Sequence, residues 1–299
     1  MGGSFAGDFP DVYIWQQDYD DLSFLKGLGM SNQENDLLSR RNAIKFGVAS
    51  LSSVGMVAGA QAHKLGDSIQ TPFVVAQTLI PIAGSDAEFP VRRVYCIGRN
   101  YAAHAREMGS DPTREPPFFF QKPADAIQFV APNKLVDHPY PSLTKNYHYE
   151  VELVAALNKG GKNIPVEKAL EHVFGYALGL DMTRRDLQRF MGDQKKPWEI
   201  GKSFDYSAPI GPIFRVSQIG HFTKGAISLS VNGIVKQKAN LDQMIWSVAE
   251  QIAKLSEANE LFPGDIIYSG TPENVGPVIR GDVIRCTIDN LPDLSIKIV

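Results

Sequence analysis

His148-Tyr149-Glu150-Val151-Glu152-Leu153 decides the reading of this chain. The stretch lies inside a strand-like run from Tyr147 to Leu157. Residues i and i+2 of a strand share a face, so Glu150 and Glu152 project together while Tyr149, Val151 and Leu153 face the other way. Two adjacent like charges in an apolar strand are costly unless something compensates them. A divalent cation does so and prefers oxygen ligands. The alternative is an edge strand whose two glutamates are simply solvated.

Working outward, Gly179-Leu180-Asp181 closes a second apolar strand, Val173 to Leu180, and a helical stretch, Thr183 to Phe190, follows. A carboxylate at that strand end can complete a three-carboxylate site for Mg²⁺ or Mn²⁺, with waters and substrate oxygens as the remaining ligands. It can equally cap the following helix, or do both. Zinc is disfavoured, because no Cys or multi-His ligand set is visible. Upstream, Gly98-Arg99-Asn100-Tyr101 precedes a helical stretch in which His104 and Glu107 stand three positions apart, as neighbours. A carboxylate beside an imidazole fixes its tautomer and raises its basicity, as a water-activating base requires. A solvated surface pair is the plainer reading.

The remaining pattern is rich in strands. Val91 to Ile97, Phe118 to Phe120 (stopped by Pro123), Ile266 to Ser269, Val283 to Ile288 and Leu294 to Ile298 read as strands. Ile227–Val231 and Ile234–Lys236 flank Asn232-Gly233, a type I′ hairpin signal. Helices are few: Tyr101 to Met108, a short one after Pro165, and Trp246 to Ala258. The fold class is therefore α+β and β-rich, with a rolled or barrel-like mixed sheet rather than a doubly wound one.

The 299 residues carry a net charge of −3, with 21% charged and 43% hydrophobic residues, an ordinary globular composition. The balance gives no reason to expect nucleic acid or a membrane surface as partner. No run reaches the ~18 apolar residues of a spanning helix. Cys96 and Cys286 sit in apolar strands and read as inert buried thiols. Residues 1–62 read as an N-terminal extension. Within it Arg40-Arg41, an uncharged run from Phe46 to Ala62 and the closing Ala60-Gln61-Ala62 have the parts of a twin-arginine signal at about residues 30–62, with Met30 a natural start. The expected location is the periplasm by that route, and the cytoplasm otherwise. Residues 63–88 read as a linker and 89–299 as the catalytic domain.

These motifs together resemble the fumarylacetoacetate hydrolase family, as do Phe120-Gln121-Lys122-Pro123, Lys202-Ser203-Phe204-Asp205, Pro263-Gly264-Asp265 and Gly270-Thr271-Pro272. The resemblance spans about Phe89 to Val299. It implies a β-roll, a homodimer, and Mg²⁺ or Mn²⁺ on Glu150, Glu152 and Asp181. It implies a His104–Glu107 dyad on a lid and Lys202 near the metal, with substrate contacts from Arg99, Asn100, Tyr101, Lys122, Arg185, Gln188 and Thr271. The reaction implied is hydrolysis of a carbon–carbon bond in an acylpyruvate of the fumarylpyruvate kind, a small-molecule 2-oxo acid. A decarboxylase or keto–enol isomerase of the same family, a lyase or dehydratase of sugar acids, and an exported non-catalytic binding protein are the rival expectations.

Overall fold

The computed structural model describes residues 72–109, 111 and 115–299, within a compact unit spanning Gln70–Val299. The expected export signal, its Met30 start and its cleavage after Ala62 lie outside the described residues.

The central feature is a mixed eight-stranded sheet. Its hydrogen-bonded order is Phe118–Lys122, Arg93–Gly98, Asp265–Tyr268, Val151–Leu157, Val173–Leu180, Ala208–Ile210 and Ile127–Phe129, and Phe214–Arg215 adds to Val173–Leu180 off that path. Parallel pairing of Asp265–Tyr268 with Arg93–Gly98 sits beside antiparallel pairing of Val151–Leu157 with Val173–Leu180. A five-stranded sheet runs Ile234–Asn240, Ala226–Val231, Val283–Ile288, Leu294–Ile298 and Leu135–His138. A three-stranded sheet joins Thr183–Arg184, Tyr147–Tyr149 and Gly276–Val278. The expected β-rich α+β class with few short helices is what is found. Among the described residues the longest helix is Val248–Ala258, and no helix there is long and apolar enough to cross a membrane.

Val151–Leu157 is fully buried, because both its faces are packed. Val151, Leu153, Ala155 and Leu157 join the larger apolar cluster, against the five-stranded sheet, while Val154 and Ala156 join a smaller one. Each buried Val or Leu among these contributes about 1.5–3 kcal/mol relative to exposure, and each Ala correspondingly less. This apolar packing is what holds the strand that carries Glu152 in place. The hairpin forms as expected, with Asn232 and Gly233 at φ of 51° and 79°.

Three expectations need correction. The run Tyr147–Leu157 is two strands, with Glu150 at the junction between the small sheet and the large one. There the Val151 N–H donates to the Gln237 side-chain oxygen (3.2 Å) instead of to a ladder partner. The helix after Asp181 starts only at Arg185, since Thr183 and Arg184 pair with His148 and Tyr147 first; Asp181 is therefore not its cap. Finally, order begins before Phe89. Leu79–Pro81 pairs with Glu88–Pro90, and Ile80 and Ile82 are buried in the smaller cluster, so part of the expected linker belongs to the core.

Candidate metal centre and hydrolytic dyad

Glu150 lies at the sheet junction, Glu152 one pleat later on the central strand, and Asp181 just past the end of its antiparallel neighbour. The ladder sets Glu152 opposite Gly179 and Val151 opposite Leu180, and the Asp181 N–H donates to the Glu150 carbonyl (2.9 Å). The three carboxylates are 4%, 1% and 1% exposed, which removes the solvated-edge reading. One oxygen from each lies within 4.8 Å of the other two.

Cationic side chains surround this cluster unevenly. Lys202 Nζ bridges Glu150 Oε2 (2.7 Å) and Asp181 Oδ2 (2.8 Å). Arg185 donates to Glu150 Oε1, and Lys122 Nζ stands 2.8 Å from Asp181 Oδ1, although no hydrogen bond is directed at that oxygen. Among the described residues no side-chain cation is within ion-pair distance of Glu152, whose Oε2 accepts the Gly270 N–H (2.8 Å). Burial, with Asp181 and Glu150 alongside, pushes the Glu152 carboxyl well above its usual range. Burial works the same way on Glu150, but Lys202 and Arg185 outweigh it and hold that carboxyl well below the range. Lys202 is raised despite burial, because Asp181 and Glu150 favour its charge. The donor set is all oxygen and fully buried, with one uncompensated carboxylate and one carboxylate oxygen lacking a donor. It fits a hard divalent cation.

The helix Ala102–Glu107 places His104 Nδ1 3.0 Å from Glu107 Oε2, and Glu107 is held in turn by the Asn274 N–H (3.1 and 3.2 Å). His104 is 5% exposed and the Glu107 side chain 31%, so the imidazole is held out of bulk solvent while the carboxylate stays partly open. Glu107 accepting at Nδ1 leaves Nε2 as the basic nitrogen, a tautomer assigned from the network.

The dyad and the triad line one cavity of about 510 Å³, together with Lys202, Arg185, Gln188, Thr271 and Arg99. Three expected substrate contacts do not line it. Asn100 is buried and ties strands together, donating to the Trp246 and Ser269 carbonyls and accepting the Trp246 N–H. Tyr101 is packed in the interior at 2% exposure, at the N-terminus of the dyad helix. Lys122 lies behind Asp181, donating to the Met182 and Lys202 carbonyls. Sequence reasoning missed Phe118, Phe120, Arg189 and Trp198 as lining residues; for Arg189 the helical i, i+4 spacing from Arg185 was the available signal.

This arrangement, a rolled mixed sheet holding buried carboxylates beside a His–Glu pair, defines a class of metal-site hydrolase-like folds. Residues 93–299 match the fumarylacetoacetate hydrolase C-terminal model. A fumarylpyruvate hydrolase from Ralstonia sp is 41% identical over 63% of this chain and 95% of its own length. A mitochondrial oxaloacetate decarboxylase of Dictyostelium discoideum is 37% identical, covering 70% of this chain and 94% of its own. The crystal structure of fumarylpyruvate hydrolase from Pseudomonas aeruginosa in complex with Mn²⁺ and pyruvate is 58% identical. It superposes with a TM-score of 0.76, covering 77% of this chain and 99% of that one. The chain belongs to the fumarylacetoacetate hydrolase family.

Proposed function

We propose that this protein is a divalent-metal-dependent hydrolase that cleaves an acylpyruvate, of the fumarylpyruvate type, into a carboxylic acid and pyruvate. The observation that carries this reading is the shared cavity, which a His–Glu dyad with a buried imidazole lines together with a cluster of three carboxylates. The fumarylpyruvate hydrolases among its relatives, one of them with Mn²⁺ and pyruvate, point the same way.

Glu150, Glu152 and Asp181 would hold Mg²⁺ or Mn²⁺. Once bound, the ion supplies Lewis-acid polarisation and a template for the 2-oxo acid end of the substrate. The protein's own groups do the rest. Glu107 keeps the His104 ring oriented, and Nε2 takes a proton from water as the oxygen attacks the acyl carbonyl. Expelling the pyruvate fragment breaks the carbon–carbon bond and leaves its electron pair as an enolate. Lys202 Nζ, buried and charged, stabilises that negative charge as it develops. The His104 proton then returns to the enolate carbon and gives pyruvate. Gln188 and Thr271, which also line the cavity, offer hydrogen bonds to substrate oxygens.

The test is His104→Ala. Pyruvate release from fumarylpyruvate should fall about 10²–10⁴-fold, the usual worth of a positioned general base, while Mn²⁺ affinity by calorimetry stays at the wild-type value. Wild-type turnover in this variant would remove the dyad from the mechanism. Decarboxylation of oxaloacetate is the second reading, favoured by the Dictyostelium relative; it uses the same carboxylates without a hydrolytic water. CO₂ release that survives His104→Ala would identify it. A homodimer and export through the Arg40-Arg41 signal complete the proposal. Sedimentation and cell fractionation read them directly.

A further inference from the structure

Arg185 was the natural candidate to bind a substrate carboxylate, but each of its three guanidinium nitrogens already donates a hydrogen bond within the protein. It donates to Glu150, to Gln188 Oε1 (2.5 Å) and to His148 Nδ1 (3.4 Å), at 1% exposure. One turn further along the same helix, Arg189 also lines the cavity. Positions i and i+4 share a helix face, with Cβ atoms about 6 Å apart. Arg189 is exposed where Arg185 is buried, so the second guanidinium stands nearer the mouth. It makes no hydrogen bond or ion pair with any described residue.

Three aromatic side chains form a neighbouring wall of the cavity. Trp198 packs on Phe118 (centroids 5.6 Å, tilted) and on Phe120 (6.1 Å, edge-on), and all three are half-buried. Arg99 lies 5.6 Å from the Phe118 centroid and adds positive charge there. Flat ring faces suit a planar conjugated chain, and an exposed guanidinium suits a carboxylate in bidentate fashion. Asp193, one turn beyond Arg189, also lines the cavity.

We infer that the cavity contains an acyl subsite in which Phe118, Phe120 and Trp198 sheathe a flat, unsaturated chain and Arg189 pairs with a carboxylate at its far end. This makes Arg189 a specificity-determining residue, and the preferred substrates are dianionic acylpyruvates rather than acylpyruvates with a neutral acyl group. The inference rests on the hydrolase reading above.

The test measures kcat/KM of the Mn²⁺-loaded full chain on fumarylpyruvate, a dianion, and acetylpyruvate, whose acyl end is neutral. The ratio of the two values should favour fumarylpyruvate and fall about tenfold or more in Arg189→Gln, mainly through KM on the dianion. Arg189→Lys should recover much of it. In the wild type the ratio should also shrink as salt is raised, since an exposed pair is screened. An unchanged ratio in Arg189→Gln, or an equal loss on both substrates, overturns the subsite while leaving the hydrolase reading intact. If the wild type releases pyruvate from neither substrate, the hydrolase reading itself falls, and the subsite falls with it.

Discussion

His138 is a buried imidazole that the chemistry does not use. It is fully buried, with Nδ1 2.6 Å from Gln128 Oε1 and Nε2 2.6 Å from the Tyr147 hydroxyl. The amide oxygen can only accept, so Nδ1 donates and Nε2 accepts from Tyr147, a fully satisfied neutral ring. Burial lowers its pKa from 6.5 to about 4. Its stabilising contribution is thus complete above about pH 6.5, because the unfolded chain takes up the proton first as pH falls. It is lost as pH drops from 6.5 to about 4. That shift is worth on the order of 3 kcal/mol. Urea unfolding at pH 7 and at pH 4.5 should show wild type losing most of that amount and His138→Gln losing correspondingly less. Equal losses would acquit the imidazole.

At the same scale, what the sequence exposes is residue chemistry, and what it hides is direction. Glu150 and Glu152 stand out because two carboxylates at i and i+2 in an apolar strand demand a partner, and Asp181 because it ends the neighbouring strand. Lys122 and Asn100 were singled out only through the family resemblance, as substrate contacts. Whether such a donor turns to the cavity or behind it depends on packing across the sheet, and both turned inward, to backbone carbonyls. Trp198 follows Pro197 in a polar stretch, and only the fold of Arg185–Asp193 onto Glu199–Lys202 carries it to the cavity.

Among the elements, the helix pair Arg185–Asp193 and Glu199–Lys202 sets the position of two functional side chains at once. They approach so closely at Gly201 that an added Cβ would lie 2.7 Å from the Gln188 Cα and N. Those atoms are backbone and cannot swing aside. Gly201→Ala should therefore push Lys202 away from Glu150 and Asp181 and cut turnover by more than tenfold, with a loss of about 1–3 kcal/mol from overpacking. Pyruvate release per folded molecule, with folding followed by circular dichroism, separates the two effects, and full activity would mean that the helices do not need this contact. The long elements were legible: Val173–Leu180, Val283–Ile288 and Leu294–Ile298 fall where the apolar runs put them. Short ones were not. Ala208–Ile210 contains Pro209, which ordinarily argues against a strand interior. It pairs in parallel with Ile127–Phe129, yet touches Val173–Leu180 at Ile210 alone, so the missing N–H costs little. Leu79–Pro81 is held by the burial of Ile80, a tertiary cause that no local pattern announces.

For the molecule as a whole, the position of Glu150 has a mechanical consequence. The backbone crosses there from the three-stranded sheet to the eight-stranded one, with the Val151 N–H given to the Gln237 side chain. One ligand of the proposed ion thus comes from the seam and another, Glu152, from inside the large sheet. A bound cation would act as a rivet through two plates. At a hundredfold excess over its dissociation constant it would add about 2.7 kcal/mol to stability. The gain should be local before it is global. Stripping Mn²⁺ with a chelator should speed amide exchange first in Tyr147–Tyr149, Thr183–Arg184 and Gly276–Val278, with Val151–Leu157 still protected. Uniform loosening of both sheets would mean that the seam bears no load, whereas selective loosening would make the same ion both reagent and fastener.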